Sequence, residues 1–490
     1  MPLEIAGVVQ TGNDALDIHV SDSVVVETTN GVFVVTTTGF GGGLVVYRLR
    51  GDGRLVVSDS QVFPDNLQSD ISAQIAVMDL NGETLIIVGA SANQAIAYSL
   101  NEDGRIGAQR RIDWSDIEDA VAHEIPGAVQ VLALRNEFPD QFATAQTEDG
   151  FLVAAQQISA FSRDYILTLD GQSGQVASHV TSSNGRVDLV ATLGAGNGLA
   201  LAGPTAMEIA TVAERSFAFI ASANGSSISV VEIAPNGGLT PVQHLLDTAS
   251  TRFAHVQDLA VVQHDDHVFL LAIGADHGVS LFRLLPDGHL VFVEAFQDDH
   301  SGLLHTPISV AASMVGTTLH VFIGTQDSAE MVHLRSHQDS LGQVAISSAE
   351  GADLLSGGAR DDVLLAGSDN DTLSGGGGAD ILSSGEARST LTGGGGSDIF
   401  VIRGESTLVT ISDFEPGRDR LDLSDLPMLR DIDQLQISRT TNGAVIRYRD
   451  VEIVVQSHDG ASLRPQDLFP DGLVGPDSIF IVVGELDPVP

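Results

Sequence analysis

Five aspartates occupy one recurring slot late in the chain: Asp353, Asp362, Asp371, Asp380 and Asp398. They follow one another at nine-residue spacing, broken once where Ser389 takes the slot. Most are preceded by a glycine-rich run. Glycine reaches positive φ at no steric cost and lets backbone carbonyls converge. Ca²⁺ is a hard cation that takes roughly six to eight oxygens from carboxylates and carbonyls. A glycine turn followed by Asp supplies both, so the chemistry on offer is cation binding. The same nonapeptides carry an apolar residue two places after the aspartate slot: Leu355, Leu364, Leu373, Leu382, Leu391 and Phe400. A flexible glycine linker would not keep an apolar residue at every ninth position through six blocks.

Those blocks, SAEGADLLS, GGARDDVLL, AGSDNDTLS, GGGGADILS, SGEARSTLT and GGGGSDIFV, fill residues 348–401. Their template, G-G-x-G-x-D-x-U-x with U apolar, resembles the RTX (haemolysin-type) repeat of bacterial proteins exported by type I secretion. The resemblance implies a calcium-binding parallel β-roll with two nonapeptides per turn, so that alternate blocks share an edge. One edge then holds Asp353, Asp371 and Ser389, and the other holds Asp362, Asp380 and Asp398. Carried over, the pattern implies Ca²⁺ between Asp362 and Asp380, between Asp380 and Asp398, and between Asp353 and Asp371, about three well-formed sites. Carbonyl ligands are expected from Gly357, Ala359, Gly375, Gly376, Gly378, Gly393 and Gly395, while Arg360 stands in a glycine slot. Asp413 or Asp419 would add a further site. The implied partner is the type I secretion apparatus, and the implied location is outside a bacterial cell.

Composition agrees with that setting. The 490 residues hold 65 acidic and 23 basic side chains, a net charge of −42, and no lysine, so every basic residue is arginine. Such acidity disfavours nucleic acid and anionic membranes as partners. The missing lysines exclude Schiff-base chemistry. With no cysteine, disulfides, thiolate metal sites and cysteine nucleophiles are excluded as well. No apolar run of about 18 residues predicts a transmembrane helix. The opening MPLEIAGVVQTGNDALDIHV shows no basic and apolar leader pattern, and the resembled family exports through an uncleaved C-terminal signal instead.

The elements that must position these residues are all β. Residues 1–347 read as short Val/Ile/Leu strands between Gly, Asn and Asp turns. LVVYRLRGDGRL, AIAYSLNEDGRI, ISVVEIAPNGGL and VSLFRLLPDGHL are strong hairpins with D-G or N-G turns. With three weaker copies, their turn glycines (Gly53, Gly104, Gly150, Gly198, Gly237, Gly288 and Gly342) stand 39 to 54 residues apart. That period points to a β-propeller, with seven blades on this phasing. Phasing on the competing hairpin YILTLDGQSGQV (Tyr165 to Val176) gives six or eight. The strong hairpins look like those of the 6-phosphogluconolactonase-like (lactonase) propellers. Residues 402–490 are expected to form a β-rich cap that carries the secretion signal. ISDFEPGRDRLDLS closes the roll, and strands follow at Ala444 to Tyr448 and Val451 to Gln456.

Catalytic residues do not emerge from the sequence. His264 and His267 are spaced like a zinc pair, but a strand-to-turn segment places them on a solvated blade edge. Arg50-Gly51-Asp52 falls at a hairpin tip, where turn chemistry alone accounts for Gly51 and Asp52. The expected role is a secreted calcium-binding protein whose propeller binds an extracellular polymer, a surface or a second copy of itself. The alternative is a lactonase-like hydrolase with its site in the propeller channel.

Overall fold

The computed structural model describes residues 2–479, apart from 18, 39–41, 65–74, 81, 91–93, 114–119, 126–128, 135–141, 147–151, 161–162, 182–186, 299–301, 327–329, 349–350 and 369. It is an all-β molecule in which a propeller-like ring of sheets leads into a β-solenoid at residues 341–422.

Among the described residues, six four-stranded blades form the ring. Five are built from consecutive antiparallel strands, at residues 20–62, 76–113, 152–193, 204–246 and 258–297. The sixth joins strands Pro307–Val315, Thr318–Thr325 and Met331–His337 to the N-terminal strand Glu4–Val9. This last pairing closes the ring with residues from both ends of the propeller, reinforced by a 2.8 Å ion pair between Arg335 and Glu4. A three-stranded sheet, Ala120–Ile125, Val129–Leu134 and Phe142–Gln146, stands where the seven-blade phasing required a further blade.

The glycine spacing miscounts for physical reasons. Tyr165 to Val176 is a true hairpin, joining Arg163–Asp170 to Gln175–Thr181, whereas Gly198 lies in a connection between blades. Gly342 turns no hairpin: its strand, Leu341–Ile346, leaves the propeller and pairs in parallel with Asp361–Leu365 of the solenoid. The turn expected at Gly150 falls outside the described residues. The four strong hairpins all join the third and fourth strands of a blade, at Gly53, Gly104, Gly237 and Gly288.

These turn glycines do more than reverse the chain. Each has positive φ, and at three of them a Cβ would lie within 2.5 Å of an aromatic ring from the preceding blade. Phe33 covers Gly104, Tyr165 covers Gly237, and Phe217 covers Gly288. All three rings are fully buried, so the D-G or N-G signature records blade-to-blade packing as well as turn geometry.

The solenoid follows from the nonapeptides. Parallel pairs match Val363 with Ile381, Asp371 with Ser389, and Ile381 with Ile399, an offset of 18 residues per turn. Leu364, Leu373, Leu382, Leu391 and Phe400 point inward and are fully buried, each contributing about 1.5–3 kcal/mol. Their stack continues into Ile411 and Leu421 and then into the antiparallel hairpin Gly443–Tyr448/Val451–Ser457, which covers the end of the roll.

One sheet of the roll docks on the fifth blade. Val363, Ile381 and Val401 on its outer face pack against Leu285 and Val291, all buried. Beside them Arg403 reaches out of the roll to lie 2.8 Å from His289, 3.3 Å from Asp287 and 3.6 Å from Asp425. Burial alone would raise the pKa of Asp287, but neighbouring His289 and Arg403 hold it well below the usual carboxylate range. Breaking such a buried pair typically costs about 3–5 kcal/mol. Arg420 caps the blade edge by donating to the carbonyls of Phe292 and Val293. The chain then returns to the propeller, where Asp477–Ser478 adds a strand beside Leu245 and Leu246 of the fourth blade.

Candidate calcium sites

Three stacked loops lead into the strands of the docked sheet, and Asp362, Asp380 and Asp398 close them. Backbone amides order the carboxylates into a ladder. Asp380 Oδ1 accepts from the N–H of Asp362, and Asp398 Oδ1 from that of Asp380. Asp419 Oδ1 extends the ladder by accepting from Asp398. The second oxygens of Asp380 and Asp398 are buried and have no hydrogen-bond partner. Such groups are costly unless something satisfies them.

The space beside them repeats from turn to turn. A Cβ on Gly357 would lie 2.2 Å from the Gly375 carbonyl oxygen and 2.3 Å from Asp362 Oδ2. On Gly375 it would lie 2.1 Å from Asp380 Oδ2 and 2.8 Å from the Gly393 carbonyl, and on Gly393 2.3 Å from Asp398 Oδ2. Each loop thus brings carboxylate oxygen against glycine backbone where no side chain fits. Positive φ at Gly376, Gly378 and Gly394 sustains the path. Arg360, in the slot equivalent to Gly378, does not share that backbone conformation. Ala359 and Gly395 lie in the same stack, where the Gly395 carbonyl accepts from Gly378 N–H.

This donor set fits Ca²⁺: hard oxygens, two of them unpaired, in loops that admit no Cβ. Among the described residues no three carboxylate or imidazole groups converge as a ligand cluster, so loop carbonyls must supply much of the coordination. Burial pushes Asp380 up to about 7 and Asp398 up to about 6, with further upward pushes from neighbouring carboxylates. A bound divalent cation would supply the positive charge these oxygens lack.

The opposite edge is built differently. Asp371 Oδ2 accepts from Ser347 Oγ and Gly367 N, and Asp371 Oδ1 from Asp353 N. Asp353 Oδ2 is taken by the backbone N–H and hydroxyl of Ser348. At the interrupted repeat, Ser389 Oγ accepts from Gly385 N, while Ser406 Oγ donates to the Gly385 carbonyl at 2.6 Å. Hydroxyls satisfy this edge where carboxylates leave unpaired oxygens on the other. Asp413 accepts from Gly393 N and Gly394 N, tying the closing segment to the last loop.

His267, half of the zinc-spaced pair, is buried at the junction with the roll. One ring nitrogen meets the Gly342 carbonyl at 3.1 Å and the other meets Arg283. These contacts occupy both nitrogens in structure and correct the expectation of a solvated edge.

The propeller channel encloses about 750 Å³ and includes Glu27, Asp79, Gln156 and Glu208 in its lining. Asp22 and Asp258 hold equivalent places on the first strands of two blades. Each accepts a backbone N–H from the next blade, from Ile75 and Val310 respectively. They are inter-blade clamps, and burial pushes Asp22 and Glu208 up to about 7 and Asp258 well above its ordinary value. Sequence reading missed these three because strand alternation does not reveal which residues meet the channel or the next blade.

Residues 348–382 and 374–401 match the family model described as RTX calcium-binding nonapeptide repeat (4 copies). The chain carries RTX calcium-binding repeats. No curated protein matches it. Among solved structures, Raptor from Chaetomium thermophilum aligns at 12% identity over 68% of this chain, with a TM-score of 0.42. The alignment spans 29% of that protein's length.

Asp380 belongs to both implied sites of the complete edge, with Asp362 and with Asp398, so Asp380→Asn should weaken calcium-induced folding of the roll at least tenfold in a calcium titration followed by circular dichroism. Asp353→Asn, on the hydroxyl-satisfied edge, should shift the midpoint less. The buried carboxylates with raised pKa, Asp22 between blades and Glu208 in the channel, favour the fold fully below their unfolded values near 4 and lose that contribution as pH rises through about 7. Glu208→Gln should therefore raise the Tm at pH 8 in saturating calcium and narrow the Tm difference between pH 5 and pH 8. An unchanged difference would contradict the assignment.

Proposed function

We propose that the protein is an extracellular bacterial binding module that leaves the cell with its roll unfolded and completes its structure on meeting calcium. The observation that carries this reading is the pair of buried, unpartnered oxygens on Asp380 and Asp398. Extracellular Ca²⁺ modules typically bind in the range of about 10⁻⁴–10⁻³ M. A roll of that affinity stays unfolded in a low-calcium cytosol and folds outside, because metal binding supplies folding free energy. RTX repeats are typical of secreted bacterial proteins, and no helix among the described residues is long and apolar enough to cross a membrane. The first of these observations supports export by a type I apparatus, for which the signal is expected within residues 402–490.

The propeller is the part that binds, to an extracellular polymer, a surface or another copy. A lactonase-like hydrolase would need a free base or an electrophile at the channel. Of the carboxylates that line the channel, Glu27 accepts from Ser313, Asp79 from Thr84 and Glu208 from Gln156, and the binding role is preferred.

Export is tested by fusing residues 402–490 to a reporter in bacteria that express a type I exporter. The reporter should appear in the medium only when both the segment and the exporter are present. Retention in the cytosol with both present would overturn the secretion reading.

A further inference from the structure

The chain has 65 acidic residues against 23 arginines, and many arginines of described placement pair with carboxylates. Arg54 pairs with Asp52, Arg215 with Glu232, Arg335 with Glu4 and Arg447 with Glu452. One cavity departs from this pattern. It lies at the end of the first blade where the turn after Val20–Thr28 and the Gly53 hairpin meet, and it encloses about 630 Å³. Arg48, Arg50 and Arg105 line it, and no Asp or Glu does.

Two of the guanidinium groups are positioned by neutral partners. Arg48 lies 5.7 Å above the buried Phe33 ring and donates from Nη2 to the Asn30 carbonyl at 2.9 Å. Arg105, from the second blade, donates from Nη1 to the Ser58 carbonyl at 3.0 Å, and its nearest carboxylate, Asp59, is 3.9 Å away. Among the described residues neither Arg48 nor Arg50 is within ion-pair distance of a carboxylate. The acidic side chains nearby are otherwise engaged, Glu102 with Thr29 and Asp103 with Asn30. Between the arginines the floor is apolar, formed by Val32, Val56 and Val57.

We infer that this cavity binds an oxyanion, a carboxylate or sulfate group carried on a sugar-sized body. Guanidinium forks match planar carboxylates and tetrahedral oxyanions bidentately. The volume falls within the range of about 300–1,000 Å³ usual for small-ligand pockets. In a molecule whose field repels anions, Arg48 and Arg50 offer guanidinium groups outside any ion pair among the described residues, with Arg105 beside them held by a 3.9 Å pair to Asp59. Arg48 is half-buried, while Arg50 and Arg105 are exposed at the rim, an arrangement suited to an anionic group entering from solvent. The inference rests on the proposal that the propeller is the binding part and narrows it to acidic glycans. It depends on neither export nor calcium.

The test is calorimetric titration of the full calcium-loaded protein with glucuronate at low ionic strength, with glucose as the neutral comparator. Glucuronate should bind saturably and glucose should not. Arg50→Gln and Arg105→Gln, both at exposed side chains, should each weaken glucuronate at least tenfold with unchanged Tm. Arg54→Gln, on the same hairpin but outside the cavity, should leave binding intact. Displacement by inorganic sulfate would support recognition of the oxyanion itself, and failure of sulfate to compete would support a requirement for the sugar body. Equal binding of glucose and glucuronate, no binding of glucuronate, or wild-type affinity in both cavity variants would overturn the inference while leaving calcium folding and export untouched.

Discussion

An unpaired carboxylate oxygen cannot be buried cheaply, and the roll buries two of them on consecutive turns. Asp380 and Asp398 each spend one oxygen on the amide of the preceding turn and leave the other facing glycine backbone. The inward leucines alone make a thin core, one residue wide per half-turn. A divalent cation at these loops would remove the penalty and join the turns along the same edge. The opposite edge, where Ser389 and Ser406 engage Gly385, shows how the same coil is satisfied without carboxylates at every step.

The roll is not a free appendage. Its docked sheet supplies Val363, Ile381 and Val401 to a small core shared with the fifth blade, and Arg403 carries a charge into a pocket made by Asp287, His289 and Asp425. The segment beyond the cap then adds a strand to the fourth blade. Folding of the roll therefore covers surface on two blades. Within the propeller, cohesion comes from two repeated devices: aromatic rings seated on the turn glycines of the next blade, and Asp22 and Asp258 gripping the next blade's backbone.

Much of this was legible in the sequence where a short period dictates geometry. Nine-residue spacing specified the inward stack, and the resemblance to RTX repeats implied the 18-residue turn and the separation of Asp362, Asp380 and Asp398 from Asp353, Asp371 and Ser389. The propeller was legible from D-G and N-G hairpins, but its blade count was not. A glycine at Gly198 or Gly342 looks like any other turn glycine, and only long-range pairing shows that one links two blades and the other begins the roll. The Arg403 cluster and the channel carboxylates were hidden for the same reason. Their meaning comes from partners more than 50 residues away, which no local pattern records.

The central claim is that calcium at the complete edge folds the roll and thereby seats it on the propeller. Hydrogen–deuterium exchange on the full chain, in excess chelator and in millimolar calcium, tests it most directly. Calcium should protect the amides of residues 361–422 and, with the same concentration dependence, those of the fifth-blade strand Leu290–Gln297 beneath Arg420. The buried second strands of the first two blades should change little. Full protection of residues 361–422 in chelator, or calcium protection of the roll with no change at residues 290–297, would contradict the account.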